Sequence, residues 1–115
     1  MKLITAIIRP ETLEAVWVAI DRLGLSLLSV SQVIGDRSEA GYSFVYRGRA
    51  VYSPRPKLRL EIAAPDTAVA AAVKVIAREA GAEAPERDAV AKVFVTEVYQ
   101  YVNIHDDRDP PAIAS

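Results

Sequence analysis

Apolar residues recur along the chain in two copies of one pattern. The runs KLITAII at 2–8 and KLRLEIAA at 57–64 are rich in β-branched and aliphatic residues, and a proline follows each within two residues, which predicts two strands. Beyond each proline, apolar residues recur at helical spacing until a glycine, Gly24 or Gly81, ends the pattern. Each half therefore predicts a strand followed by an amphipathic helix. The predicted apolar faces comprise Leu13, Val16, Trp17, Ile20 and Leu23 in the first helix and Val69, Val73, Ile76, Ala77 and Ala80 in the second.

A further strand-like run follows each glycine, LSLLSVSQVI at 25–34 and AKVFVTEVYQYV at 91–102. The order β-α-β, β-α-β in a chain of 115 residues is typical of the ferredoxin-like fold, an α+β arrangement in which a four-stranded antiparallel sheet carries both helices on one face. The first strand has apolar residues on both faces, where a solvated face would be polar. We therefore expect other subunits to cover the open face, and we expect Trp17 to lie in the core or in an interface.

The stretch 36–56, between the two halves, shows no regular pattern. It mixes glycine, serine and proline with aromatic residues, and a loop of about twenty residues in a compact domain is uncommon unless it is functional or disordered. Arginine beside aromatic residues is typical of protein interfaces. The stretch is therefore predicted to be a mobile arm that docks on a partner protein, and its candidate docking residues are Tyr46, Arg47, Arg49 and Tyr52.

The overall composition limits the functional classes. A net charge of −1 argues against a general nucleic-acid binder, and the lack of cysteine excludes disulfides and thiolate sites. The apolar runs are too short for a membrane span or a signal sequence, so a soluble cytoplasmic protein is expected. The single histidine, His105, lies in an acidic tail typical of solvated surface, and neither a metal site nor an enzymatic site is predicted. The alternative is a small ferredoxin-like enzyme or a nucleic-acid-binding module that shares only the scaffold.

Four segments carry a family resemblance. MKLITAIIRP opens the chain, YRG occupies 46–48, PKLRLEIAAPD spans 56–66, and KVFVTEV spans 92–98. Through these segments the chain resembles the PII family of signal-transduction proteins over nearly its whole length. The resemblance implies a single domain, 1–115, that forms a homotrimer with adenine-nucleotide sites in the clefts between subunits. It also implies a regulator without catalysis, in which the bound nucleotide sets the conformation of a T-loop at about 36–56 that selects the protein target.

The resemblance also assigns the ligand-binding residues. It places a B-loop-like segment at about 82–92 and a C-terminal tail at about 101–115. No cofactor is implied beyond the nucleotide ligand. The implied nucleotide contacts are Ile7, Ser29 and Ala64 around the base and Arg87, Lys92, Asn103 and His105 around the phosphates.

The phosphate-binding segment departs from the family pattern. Where the family has TGKIGDGK, this chain has PERDAVAK, so Ala89 and Ala91 replace glycines that can adopt positive φ, and Glu86 adds negative charge. Asn103 and His105 replace a family arginine pair, and each lost charged contact costs about 1 to 2 kcal/mol. We therefore expect ADP or AMP to be preferred to ATP, or nucleotide binding to be lost.

The T-loop also departs from the family pattern. The tyrosine that some members carry as a uridylylation site aligns with Val51, one residue before Tyr52, and the glutamine that helps to bind 2-oxoglutarate aligns with Glu39. A carboxylate there would repel that dianion. Branches without the B-loop glycines include some that are associated with bicarbonate transport, so bicarbonate is a candidate ligand and a membrane transporter is a candidate target. The cations that could contact such an anion are Lys57, Arg59 and Lys92.

Overall fold

In the residues that it describes, the computed structural model has eight strands, two α-helices and two short 3₁₀ helices. The residues that it describes are 1–34, 41–54, 56–81, 91–104 and 112–114. The elements are β1 (Lys2–Ile8), α1 (Leu13–Arg22), β2 (Leu27–Ile34), β3 (Gly41–Tyr46), β4 (Arg49–Pro54), β5 (Pro56–Ala64), α2 (Val69–Gly81), β6 (Ala91–Glu97), β7 (Tyr101–Asn103) and β8 (Ala112–Ala114). None of the helices in these ranges has the length and apolar character needed to cross a membrane.

The four strands predicted from the apolar pattern form one antiparallel sheet in the order β2-β5-β1-β6. This order, with two helices packed on one face, confirms the ferredoxin-like prediction. The side chains of β1 alternate as expected, because Ile4, Ala6 and Ile8 are fully buried while the residues between them are only partly buried. The core between sheet and helices consists of Ile4, Ala6, Ile8, Val16, Ile20, Leu60, Ile62, Ala64, Ala72, Ile76 and Ala80.

The first helix ends at the glycine that the sequence indicates. Gly24 has φ of +76°, its N–H donates to the carbonyl oxygen of Asp21 at 2.9 Å, and the Leu25 N–H donates to that of Ile20 at 3.3 Å. These two bonds form a Schellman motif, which satisfies carbonyl groups left free in the last helical turn. In the second half, Gly81 is the last helical residue that the structure describes.

The predicted apolar faces of the helices were partly wrong. Trp17 is 50% exposed and is not a core residue, because the helix rests on the sheet through Val16 and Ile20, and a neighbouring position points about 100° away. In α2 the buried side chains are those of Ala72, Ile76 and Ala80, whereas Ala77 is exposed. The contact stripe of α2 is largely made of small residues, since two of its three buried side chains are alanines.

The prediction of irregular structure throughout 36–56 was wrong. Strands β3 and β4 form a two-stranded antiparallel hairpin of six residue pairs. A two-residue turn joins them, and both turn residues have positive φ, 52° at Arg47 and 79° at Gly48. This is the signature of a type I′ turn, whose twist matches that of the flanking strands. Aromatic and β-branched residues that favour strands are present in this stretch, but the serines and prolines among them obscured the strand pattern in the sequence.

Arg9 ties the end of β1 to the end of α2. Its guanidinium donates through Nη2 to the carbonyl oxygen of Ala80 at 3.2 Å and pairs through Nη1 with the Glu11 carboxylate at 3.2 Å. The contact with Ala80 places a positive charge at the helix C-terminus, where the helix dipole favours it. It also shows that α1 begins beside the end of α2, so the two helices run antiparallel.

The opposite end of the sheet is held by charges. The amino group of Met1 contacts Asp66 Oδ1 at 2.9 Å, and Lys2 pairs with Asp66 at 3.8 Å and with Glu97. The hydrogen bond from the Met1 amine and then the charge of Lys2 lower the pKa of Asp66, and the hydrogen bond to Glu97 raises the pKa of Lys2. The start of α2 and the end of β6 are thereby joined to β1.

The last predicted strand, 91–102, is interrupted. β6 ends at Glu97, and the N–H of Val98 donates to the Met1 carbonyl oxygen at 3.2 Å. The chain then enters β7, which pairs with β8 from the tail as a second small antiparallel sheet. A continuous apolar pattern across 91–102 therefore spans two separate strands.

Candidate functional site

Three residues predicted to contact ligands lie in one row across the open face of the main sheet. In the strand register, Ile7 in β1 is paired with Arg59 in β5 on one side and with Lys92 in β6 on the other. Strands are about 4.8 Å apart, so the two cations flank the Ile7 side chain with backbones about 10 Å apart. The arrangement is an apolar centre with a positive charge on each side.

Ser29 lies in the neighbouring row of the same face. Its hydroxyl donates to Oε1 of Glu61 at 3.2 Å, and the same oxygen lies 4.0 Å from Nη2 of Arg59. The register pairs Glu61 with Thr5 and Thr5 with Phe94, so this row joins an acid, two hydroxyl groups and an aromatic ring. The carboxylate of Glu61 therefore lies between Ser29 and Arg59.

Glu61 is the residue of this site that the sequence reasoning missed. Its side chain is one-third exposed and lies within reach of Arg59, which is 48% exposed. Like charges repel, so an anion that approaches Arg59 also meets the Glu61 carboxylate. The signal was present as the alternation Arg59, Leu60, Glu61, because residues two apart in a strand share one face.

Two other predicted contacts lie apart from this row. Ala64 is five residues along β5 from Arg59, about 17 Å, and its side chain is fully buried in the core on the helix side. A ligand at this position would therefore meet backbone atoms of Ala64. Lys57 shares the open face with Arg59 by strand alternation, yet it is only 4% exposed, so Arg59 and Lys92 are the accessible cations of the three.

The B-loop-like segment overlaps the start of β6. Ala91 is the first residue of that strand and is paired with Ile8, and Lys92 follows it. Arg47 alone among the described non-glycine residues has positive φ, so Ala91 does not adopt the conformation that a phosphate-binding nest favours. Arg87 and Ala89 lie outside the described residues.

The other predicted residues that the structure describes lie in the two small two-stranded sheets. Asn103 is exposed in β7, and its Oδ1 accepts a hydrogen bond from the Tyr101 hydroxyl at 2.9 Å. Arg47 and Arg49 are exposed at the tip of the β3–β4 hairpin. His105 lies outside the described residues. For Tyr46 and Tyr52 the structure gives the backbone positions only, opposite Arg49 and Ser43 respectively.

The site offers binding groups more than reactive groups. Within the described parts of the chain, no three His, Asp or Glu side chains are grouped so as to hold a metal ion. The row of Lys92, Ile7 and Arg59 can instead bind an anion or a flat apolar group through charge and contact area.

Comparison with known proteins identifies the family to which this chain belongs. A family model of nitrogen regulatory protein P-II matches residues 1–108. The chain belongs to the PII family. The resemblance inferred from the sequence is thus confirmed, and PII proteins are signal-transduction regulators of nitrogen metabolism.

Individual PII relatives match over most of their length. The nitrogen regulatory protein P-II of Rhodobacter capsulatus is 34% identical over 105 residues, and that of Cereibacter sphaeroides is 35% identical over 105 residues. GlnK of Escherichia coli K12 is 31% identical over 106 residues. Each alignment covers 90% of this chain and 91% of the relative, so the chain spans nearly the full length of these proteins.

Proposed function

We propose that this protein is a cytoplasmic PII regulator that binds an adenine nucleotide, ADP or AMP in preference to ATP, and controls a partner protein through its T-loop hairpin. The nucleotide lies in clefts between the subunits of a homotrimer, and no catalytic step is involved. The observation that carries the proposal is the row of Lys92, Ile7 and Arg59 on the open face, because it combines an apolar contact with two accessible cations.

The homotrimer is supported by the open face of the sheet. Phe94 is 52% exposed on β6, which is an edge strand. Leu3 and Ile7 of β1 share its face of the sheet and are only partly buried. Apolar edges of this kind are normally covered or paired. Packing of the sheets against one another would bury these residues and bring the binding row next to a second subunit.

The preference for a shorter nucleotide is supported by the phosphate end of the site. Ala91 is extended in β6 and paired with Ile8 of β1, so its backbone is part of the sheet. A nest of backbone N–H groups is the feature that would hold a triphosphate tightly. Lys92 and Arg59 provide two cations, which suit one or two phosphate groups, and Glu61 opposes a larger negative charge.

We also propose bicarbonate as a second ligand and a membrane transporter as a target, as in the carbon-linked branch of the family. Bicarbonate is small, carries one charge and accepts hydrogen bonds from a guanidinium in a bidentate manner. Arg59 is the accessible guanidinium on the open face, and Ser29 adds a hydroxyl beside it. The acid at Glu61 disfavours the doubly charged 2-oxoglutarate more than the singly charged bicarbonate.

Isothermal titration calorimetry tests the ligand proposal. The full chain is titrated with ATP, ADP, AMP and cyclic AMP, each with and without bicarbonate and with and without 2-oxoglutarate. We expect saturable heat with ADP or AMP, weaker binding of ATP and no effect of 2-oxoglutarate. A complete lack of heat with all four nucleotides would contradict the nucleotide proposal.

Matched variants locate the binding site. Lys92→Ala and Arg59→Ala remove the two cations of the row, and we expect each to weaken ADP binding about tenfold, which corresponds to about 1.4 kcal/mol. Arg22→Ala removes an exposed arginine from α1 on the opposite side of the sheet and should leave the affinity unchanged. Equal loss in all three variants would show that the nucleotide does not use this row.

A further inference from the structure

Arg9 connects the end of β1 with the helix layer. It follows β1 directly, two residues beyond Ile7, so its backbone lies about 7 Å from the binding row. The Arg9 side chain is only 11% exposed, although the next two residues, Pro10 and Glu11, are exposed. Burial of a charged group is costly unless polar partners compensate for the lost water. The contacts of this guanidinium therefore indicate what it is there to hold.

The guanidinium of Arg9 holds the last turn of α2. Its Nη2 donates to the carbonyl oxygen of Ala80 at 3.2 Å. The last carbonyl groups of an α-helix have no partner within the helix, and a cation beside them interacts favourably with the helix dipole. Hydrogen bonds from a charged donor are also stronger than neutral ones. Arg9 therefore fixes the end of α2 against the end of β1.

Local contacts hold Arg9 itself in place. Its Nη1 pairs with the Glu11 carboxylate at 3.2 Å. Its carbonyl oxygen accepts hydrogen bonds from the Thr12 N–H at 3.0 Å and from the Thr12 hydroxyl at 2.7 Å, and Thr12 is only 7% exposed. Both the backbone and the guanidinium of Arg9 are thus restrained. A side chain restrained in this way can set the position of the groups that it contacts.

The same end of the sheet carries a cation of the binding row. α2 ends at Gly81, and β6 begins at Ala91, which is paired with Ile8 of β1. Lys92 is the next residue of β6. The end of α2 and the start of β6 are therefore both attached to the last residues of β1, the first through Arg9 and the second through the strand register.

We propose that Arg9 is a positioning residue for the phosphate groups of the bound nucleotide. Both terminal nitrogens of its nearly buried guanidinium are engaged within the chain, so it acts by fixing the end of α2 relative to Lys92 and not by contact with the ligand. A site that is already ordered loses less conformational freedom when a ligand binds, and it binds more tightly for that reason. This role rests on the proposed nucleotide binding.

The base end of the proposed site lies away from Arg9. Ser29 donates to Glu61, and the register pairs Glu61 with Thr5, which is four residues before Arg9, about 13 Å along β1. Loss of the Arg9 contacts should therefore disturb binding of the phosphates and leave binding of the base unchanged. A purely structural role would weaken both kinds of contact together.

The affinities of the full chain for ADP and for adenosine test this role by calorimetry. Arg9→Met keeps an unbranched apolar stem and removes the guanidinium, and we expect it to weaken ADP binding about tenfold while adenosine binding stays unchanged. Arg9→Lys keeps the positive charge and can still donate to the Ala80 carbonyl, so it should recover most of the ADP affinity. Arg22→Met is the matched control, because Arg22 is an exposed arginine in the last turn of α1.

Amide hydrogen exchange measures the same contact without nucleotide. In Arg9→Met the amides of the last turn of α2, 78–81, should exchange faster than in the wild type, while those of β1 and β5 keep their rates. Glu11→Gln is a milder variant that keeps Arg9 and removes one of its partners, and it should weaken ADP binding about threefold. It serves as the test if Arg9→Met does not fold.

Several results would overturn the role of Arg9. They are wild-type ADP affinity in Arg9→Met, an equal loss of ADP and adenosine affinity, or faster exchange throughout the sheet. If Arg9→Met does not fold, wild-type ADP affinity in Glu11→Gln has the same meaning. If the wild type binds neither ligand, the proposed nucleotide binding is itself contradicted, and the role of Arg9 with it. Normal wild-type binding together with an unaffected Arg9→Met contradicts the role of Arg9 alone.

Discussion

The main sheet and the β3–β4 hairpin are both antiparallel, yet they are stabilised in different ways. Each central strand of the main sheet has two neighbours and a layer of helices on one face, so its register depends on contacts between residues far apart in the chain. The hairpin has its register set by one local two-residue turn. An isolated hairpin is only marginally stable, so the two regions are expected to differ in their free energy of opening.

The largest expected effect comes from the core of the main sheet. Ile4→Ala removes a side chain that is fully buried between the sheet and the helices, and it should lower the free energy of unfolding by about 2 to 5 kcal/mol. Ile34→Ala makes the same change at an end of β2 that is 73% exposed, and it should change stability by less than about 0.5 kcal/mol. Urea denaturation at a fixed protein concentration measures both. Similar losses would mean that Ile34 is buried in the assembly.

The next effect separates global from local stability. Gly24 and Gly48 both have positive φ and open space around the Cβ position, so an alanine at either costs about 1 to 2 kcal/mol of backbone strain without a steric clash. Gly24→Ala should lower the stability of the whole domain, because Gly24 ends a core helix. Gly48→Ala should speed amide hydrogen exchange only in the hairpin. If Gly48→Ala also lowers the unfolding midpoint, the hairpin and the sheet unfold as one unit.

The smallest effect concerns the charged end of the sheet. The pKa of Asp66 is lowered, so its contribution to stability is present above the usual carboxyl value of 3.8 and is lost as the pH falls through the lower folded value. Asp66→Asn should therefore lower Tm near neutral pH, and the difference from the wild type should shrink below about pH 4. Asp21→Asn, at an exposed position of α1, is the control. A difference that persists at low pH would attribute the loss to something other than charge.

The binding row shows why a site is harder to predict than a fold. The sequence predicted Ile7 as a nucleotide contact, Arg59 as an anion contact and Lys92 as both, without placing the three together. Only the register of β1 with β5 and β6 places them side by side. Glu61 was missed because its effect depends on the 4.0 Å separation from Arg59, which alternation along one strand does not specify.

The β3–β4 hairpin was missed for a different reason, because its signal in the sequence was weak. Its turn chemistry was present in the sequence as Arg47 and Gly48, but an arginine at positive φ is uncommon, and a glycine at the second turn position is a weak signal without an asparagine or aspartate before it. Trp17 illustrates the limit of helical spacing, since the pattern marks a wide apolar face and the sheet covers only part of it.

The sequence by itself determined the order of the two helices and the four strands of the main sheet, the ferredoxin-like class and the family, because local apolar periods and turn residues act over short distances along the chain. Tertiary structure alone decided which apolar side chains are buried and which cations face the same side of the sheet. Those features depend on register and packing between residues far apart in the chain, and a one-residue shift of a strand would reverse its faces.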